Sequence, residues 1–115
     1  MGNLLEETRR KLSIIGKSPS DVRYVGSKCG TYSCTWVEFE NLADRDYDSG
    51  YGCHEVALDL IIIFEDSSRL ERWEYDGSEG WEYVPVIDPY DIKYNITNIF
   101  EDNSKWSLDL DLYQY

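Results

Sequence analysis

The apolar run VALDLIIIF, residues 56–64, constrains the fold of this chain more than any other segment. Most of its residues are β-branched or aromatic, which predicts a strongly buried β-strand. The following EDSS is typical of a turn, so RLERWEY, residues 69–75, is predicted to return as the next strand. The stretch DGSEG, residues 76–80, predicts another turn before WEYVPV. Pro85 in that last segment suits an edge strand or a linker.

The N-terminal region is predicted to contain a helix followed by a single helical turn. A 3-4-3 spacing places four residues on one helical face: Leu5, Thr8, Leu12 and Ile15. Gly16 can take the left-handed conformation that ends such a helix. The stretch SPSD, residues 18–21, has Ser at the N-cap and Pro at the first helical position, but no apolar stripe follows it.

A hairpin and a second helix are predicted next. VRYVGS, residues 22–27, and TYSC, residues 31–34, have the composition of two short strands around a Gly-containing turn. Thr35 and Glu38 form a capping box, and an apolar stripe follows. This pattern predicts a short helix over residues 36–43.

The C-terminal region predicts a further hairpin. IKYNITNIF, residues 92–100, and WSLDLDLYQY, residues 106–115, flank the turn EDNSK. The alternation in the last segment predicts one packed face and one acidic face. The whole chain, residues 1–115, is therefore expected to be a single α+β domain: an N-terminal helix, a short second helix and a mainly antiparallel sheet of about five to seven strands.

The charge of the chain is strongly asymmetric. It has 23 acidic and 11 basic residues, a net charge of -12. Residues 1–28 contain six bases and three acids, a net of +3, whereas residues 29–115 contain five bases and 20 acids, a net of -15. Direct binding of nucleic acid is disfavoured, because phosphates need a cationic surface. A basic protein partner is favoured, because complementary potentials steer encounter.

The sequence predicts a cytosolic protein. No run of residues is long and apolar enough to span a membrane. The N-terminal MGNLLEETRR lacks the apolar core of a signal peptide. Thiols stay reduced in the cytosol, and the three cysteines of this chain cannot all pair internally.

The cysteines and the single histidine suggest a metal site. Zinc prefers four N or S ligands, and Cys3His sets are common structural sites. The chain offers one such set, and each member falls at the end of a predicted element: Cys29, Cys34, Cys53 and His54. If the buried strand pairs beside the first hairpin, all four meet at one end of the sheet. The alternative is that these are buried and exposed thiols beside a surface histidine.

Catalysis is poorly supported by the sequence. Adjacent residues such as Cys53 and His54 rarely point at one another as a nucleophile and base must. The chain has no Gly-rich phosphate loop, because the GSEG turn lacks the Lys-Ser/Thr continuation. A zinc-dependent hydrolase with an open metal at Cys29, Cys34 and Cys53 is the least favoured reading.

Three segments interleave carboxylates with aromatic rings: DRDYDSGYG, EYDGSEGWEY and LDLDLYQY. Carboxylates can mimic a phosphate backbone, and rings provide binding hot spots. The predicted partner-binding residues are Asp46, Tyr47, Asp48, Asp76, Glu79 and Trp81, with Asp109 and Asp111 as a second patch. The alternative is a sheet whose outer face is acidic for solubility alone.

Three stretches resemble a pattern recurrent in small phage and prophage accessory proteins: SPSDVRYVGS, TWVEFENLAD and LERWEYDGSEGWEY. The resemblance covers roughly residues 4–84, while the cysteines and the C-terminal hairpin depart from it. Small, acidic, phage-borne proteins without a catalytic motif are similar in kind to anti-CRISPR proteins, including the type II-A group that inhibits Cas9.

This resemblance implies a non-catalytic inhibitor acting in the cytosol of a bacterial host. Such a protein occupies a basic, nucleic-acid-handling surface of the Cas9 nuclease and keeps DNA from loading. The alternative from a different class is a structural or regulatory phage protein that binds no nuclease.

Overall fold

A computed structural model describes residues 2–48, 55–90 and 96 of the chain. Within these residues the fold is α+β, as predicted, with two helices and antiparallel sheets. The elements in chain order are β1 (Gly2–Asn3), α1 (Leu4–Ile14), β2 (Val22–Ser27), β3 (Ser33–Cys34), α2 (Trp36–Ala43), β4 (Asp46–Tyr47), β5 (Leu60–Phe64), β6 (Arg69–Tyr75) and β7 (Ser78–Val84). A single 3₁₀ turn at Pro19–Asp21 precedes β2, as the SPSD stretch predicted.

Both helices form where local signals predicted them. In α1 the Asn3 side chain caps the first turn by accepting from the Glu6 N–H, and Gly16 follows the helix with a φ of 75°. In α2 the capping box is present, with Thr35 Oγ1 accepting from the Glu38 N–H and the Glu38 carboxylate accepting from the Thr35 N–H. The start of each helix is therefore set by side chains within its first turn.

The main sheet has five strands in the order β3-β2-β5-β6-β7, all antiparallel. A second sheet pairs the two-residue strands β1 and β4. One face of the main sheet carries the buried residues Val25, Ile62 and Leu70, which lie opposite one another on adjacent strands. Both helices contribute buried apolar residues to the core on this face, which has the following members: Leu4, Leu5, Leu12, Val25, Phe39, Ala43, Tyr47, Ile62, Phe64, Leu70 and Trp81.

The predicted strand over residues 56–64 is shorter in the structure, because β5 begins at Leu60. The Leu60 N–H donates to the Ala57 carbonyl at 3.2 Å, so the residues before it form a turn. The Val56 N–H is also diverted from the sheet, since it donates to the Glu79 carboxylate at 3.2 Å. The strand predicted from apolar composition is therefore too long, because it includes residues whose backbone groups form a turn or bind a side chain.

The turn predicted over DGSEG is narrower than expected. Asp76 and Gly77 have φ values of 50° and 88°, the left-handed pair of a tight two-residue hairpin turn. Ser78 and Gly80 already pair with β6, opposite Tyr75 and Trp73. The C-terminal hairpin predicted for residues 92–115 lies outside the described residues, apart from the exposed Ile96.

Candidate functional site

The β2–β3 hairpin holds two of the four predicted zinc ligands. Cys29 lies in its turn, and Cys34 lies in β3 opposite Val25. The condition stated for this site, that the buried strand pairs beside the hairpin, is met, because β5 pairs with β2. Cys53 and His54 lie outside the described residues, and within those residues no group of three or more potential ligands is gathered. The four-ligand zinc set therefore stays a prediction.

The two described thiols differ in chemistry. Cys29 is exposed, and its Sγ lies 3.4 Å from Ser27 Oγ and 3.1 Å from Thr31 Oγ1. These hydrogen bonds, that of Ser27 first, lower the pKa of the Cys29 thiol to about 7. Cys34 is half-buried, and this burial raises the pKa of its thiol. Cys29 is therefore the more readily ionised of the two, as either a metal ligand or a nucleophile requires.

The predicted partner-binding residues divide into surface and internal groups. Asp46 and Asp76 are exposed, and Asp48 is half-buried. Tyr47, Glu79 and Trp81 are buried, with exposed fractions of 4, 5 and 6%. These three are therefore not surface contacts, which corrects the grouping made from the sequence. Two further predicted residues, Asp109 and Asp111, lie outside the described part of the chain.

The buried residues of this group belong to an ionic cluster centred on Arg72, whose side chain has no exposed surface. Arg72 Nη2 donates to Glu79 Oε1 at 3.0 Å and to Tyr47 Oη at 3.2 Å, and Nη1 donates to Glu7 Oε1 at 3.2 Å. The guanidinium carbon lies 4.8 Å from the centroid of the Trp81 ring. Two carboxylates and a ring thus compensate the desolvation of one cation.

The Tyr47 hydroxyl completes the cluster by donating to the second carboxylate oxygen of Glu7. Burial, followed by this hydrogen bond, raises the pKa of Tyr47 to about 12. The phenol therefore keeps its proton below about pH 12, and there it can act as a hydrogen-bond donor.

Strand alternation explains why charged residues are internal here. Arg72 follows Leu70 by two positions, so both point to the face that the helices cover. The register places Arg72 opposite Trp81, whose indole N–H donates to Thr8 Oγ1 of α1 at 2.8 Å. The cluster therefore ties the first helix to the last two strands of the sheet.

The same contacts bring two acidic loops together. Glu79 accepts from the Glu55 N–H at 2.8 Å, and Glu55 in turn accepts from the Asp48 N–H at 2.7 Å. Glu79 also lies opposite Glu74 in the ladder, beside the turn at Asp76. The buried carboxylate of Glu79 thus joins the segment after α2 to the β6–β7 turn.

These two loops and the residue that links them form a surface that we call the acidic end: Asp44, Asp46, Asp48, Glu55, Glu74 and Asp76. Segments 44–48 and 74–77 contain one basic residue, Arg45. None of the ion pairs found among the described residues includes Asp46 or Asp76. Their charge is therefore not cancelled by a neighbouring cation within the described part of the chain.

Two exposed rings beside the acidic end were not among the predicted partner-binding residues, although one of them, Tyr75, belongs to the acidic-aromatic segment EYDGSEGWEY. Trp73 and Tyr75 lie on the face of β6 opposite Arg72, and both are exposed. The Trp73 ring covers Gly80, where a Cβ would lie 3.0–3.1 Å from the indole. Alternation along RLERWEY was the signal available, because a buried Leu70 fixes which residues face outward.

No protein-family model matches the chain, and no curated protein or solved structure is similar to it at a significant level. Within residues 2–48 and 55–90, no helix is long and apolar enough to cross a membrane.

Proposed function

We propose that this chain is a non-catalytic protein that binds a basic surface of a protein partner through its acidic end. The observation that supports this best is the linkage of the Asp46 and Asp76 loops through Glu55 and Glu79. The Asp46 and Asp76 carboxylates, which take part in none of the ion pairs of the described residues, belong to the two loops that this linkage joins. A fixed charge of this kind attracts a cationic surface and raises the rate of association.

The resemblance to phage anti-CRISPR proteins makes a Cas9 nuclease the first partner to examine. A nuclease has a cationic surface for the phosphates of its nucleic acid. Carboxylates that occupy this surface keep DNA from loading, so the protein acts by occupancy. In a DNA-cleavage assay, inhibition is then expected to saturate near one equivalent of the protein. Full inhibition at a small fraction of one equivalent contradicts this mechanism.

Neutralising the acidic end tests the proposed surface. In the variant Asp46→Asn with Asp76→Asn, association with Cas9 is expected to slow about fivefold at low salt, because two steering charges are lost. Asparagine tolerates the left-handed conformation at position 76, so the turn is retained. Association rates at several salt concentrations provide the measurement, since screening shortens the Debye length from about 10 Å at 0.1 M to about 3 Å at 1 M.

The matched control is Glu65→Gln with Glu82→Gln, which removes the same net charge from exposed positions outside the acidic end. This control is expected to change the association rate by less than about twofold. Equal slowing in both variants means that net charge matters and the acidic end does not. If the unchanged protein does not bind, Cas9 is rejected as the partner.

We further propose that Cys29, Cys34, Cys53 and His54 bind one structural zinc. Elemental analysis of protein prepared without chelators is then expected to give about one zinc per chain. A chelator lowers the melting temperature, because a ligand that binds only the folded state stabilises it by mass action. His54→Asn is expected to abolish zinc binding. The control is Ser33→Ala, next to the proposed ligand Cys34, which is expected to leave zinc bound. Protein that contains no metal contradicts the proposal.

A further inference from the structure

A groove of about 330 Å³ lies between the β2–β3 hairpin, the end of α2 and the segment before β5. We call it the α2 groove. Its apolar walls come from Leu42, Ala57 and Leu60, and Tyr32 also lines it. Leu42 and Tyr32 are 70 and 76% exposed, although both are large apolar side chains. Apolar surface of this kind, set in a concave site, is typical of a binding position.

One carboxylate lines this otherwise uncharged groove. Asp59 is the charged residue among its described lining residues, and it takes part in none of the ion pairs of the described chain. The basic residue Lys28 donates its backbone N–H to the Asp59 carbonyl at 2.9 Å. The Lys28 ammonium is directed elsewhere, to Glu71 at 3.3 Å. Within residues 2–48 and 55–90, the groove therefore offers a carboxylate without an ion-pair partner beside apolar walls.

The groove lies next to a residue of the acidic end. Leu42 lines both the groove and a second hollow of about 160 Å³, whose other lining residues include Arg45, Glu55 and Val56. An apolar centre beside a charged rim is the usual arrangement of a protein interface. A partner steered to the acidic carboxylates thus meets the α2 groove in the same encounter.

The chemistry of the groove selects one kind of occupant. Apolar walls accommodate an aliphatic stem, and a carboxylate at the wall accommodates a cationic head. Arginine fits better than lysine, because its planar guanidinium both stacks on a tyrosine ring and forms a two-point contact with a carboxylate. Arginine is also among the residues most often found at interface hot spots.

We infer that the α2 groove binds an arginine side chain of the basic partner, with the aliphatic stem against Leu42 and the guanidinium between Asp59 and Tyr32. This inference rests on the proposed function, because it supplies the apolar anchor of the same interface. The acidic end governs how fast the partner arrives, whereas the groove governs how long it stays.

The direct test uses the 115-residue chain and the blocked tripeptide acetyl-Gly-Arg-Gly-amide. Citrulline in place of arginine is the matched control, because it has the same stem without the charge. Binding is followed by NMR shifts of the Leu42 and Leu60 methyl groups and the Ala57 amide. The arginine peptide is expected to bind at least fivefold more tightly than the citrulline and lysine peptides. Asp59→Asn removes this preference, and Glu65→Gln leaves it unchanged.

Several results overturn the inference: equal affinities for the three peptides, shifts confined to the acidic end, or an arginine preference that survives Asp59→Asn.

A second readout separates this inference from the proposed function. With Cas9, Asp59→Asn is expected to raise the dissociation rate about tenfold and to change the association rate less than twofold. Slower association in the acidic-end variant with no effect of Asp59→Asn supports the proposed function and rejects the groove. Arginine binding in the groove without Cas9 binding rejects the partner and supports the groove.

Discussion

Replacing Glu79 by glutamine is expected to lower the free energy of unfolding by about 3–5 kcal/mol. The Glu79 and Arg72 side chains both have an exposed fraction of 0%, so the substitution leaves a buried guanidinium with one carboxylate less. Glu79 also accepts from the Glu55 and Val56 N–H groups, and an amide can satisfy these donors only through its single oxygen. Urea denaturation followed by circular dichroism measures the change.

A double-mutant cycle separates the cost of breaking the pair from its net contribution. Arg72→Met leaves two carboxylates without their cation, so it is expected to cost a similar amount. The double variant is expected to cost clearly less than the sum of the two single variants, because no unpaired cation remains. Additive costs contradict the coupling that the geometry describes.

The control for this cycle is an exposed ion pair of similar length. Arg9 Nη2 lies 2.8 Å from Glu40 Oε2, and both side chains contact solvent. Glu40→Gln is therefore expected to cost no more than about 1 kcal/mol. If Glu79→Gln costs no more than Glu40→Gln, burial of the Arg72 cluster contributes nothing specific to stability.

Replacing Gly26 by alanine is expected to cost about 2–3 kcal/mol, at the upper end for overpacking. A Cβ at this position would lie 2.2 Å from the Tyr32 carbonyl oxygen and 2.5 Å from Tyr24 Oη. The first of these atoms belongs to the backbone and also accepts the Ser27 N–H at 2.9 Å, so it cannot move without breaking the β2–β3 hairpin. Thermal and urea unfolding both measure the loss.

Gly2→Ala is the control for this substitution, because no atom lies within 4 Å of a Cβ built there. It is expected to change stability by less than about 0.5 kcal/mol. Adding Tyr24→Phe to Gly26→Ala removes only the clash with the hydroxyl, so it is expected to restore little of the lost stability. Full restoration would place the strain on the tyrosine and contradict the backbone explanation.

The elements with local signals were predictable from the sequence. The bounds of α2 were predicted because Thr35 and Glu38 lie within one turn of its start. The start of β5 was not predicted, because the Val56 N–H binds a carboxylate 23 positions away. The two-residue strands β1 and β4 depend on each other and on no local pattern, so no strand was predicted at Asp46 and Tyr47.

The acidic character of the candidate site could be predicted from the sequence, but which of its residues are exposed could not. Tyr47 and Trp81 were taken for surface anchors because they stand among carboxylates, whereas the structure places them around Arg72. That arrangement depends on a contact between Glu7 and Arg72, which are 65 positions apart. Local periodicity carries no information about such a pairing. Alternation along β6, by contrast, is enough to predict that Trp73 and Tyr75 face outward.

The position of the Arg72 cluster has a kinetic consequence for the growing chain. Thr8 and Trp81, joined by a hydrogen bond, are 73 positions apart, so α1 cannot complete its packing until β7 has been made. Contacts between residues so far apart in sequence form only after the chain has met the entropic cost of closing a long loop. A nascent chain that ends before β7 contains the Arg72 guanidinium without the Glu79 carboxylate that binds it. Folding is therefore tied to the end of the described sheet, and a chain that stops at the β6–β7 turn is expected to be unfolded and exposed to proteases.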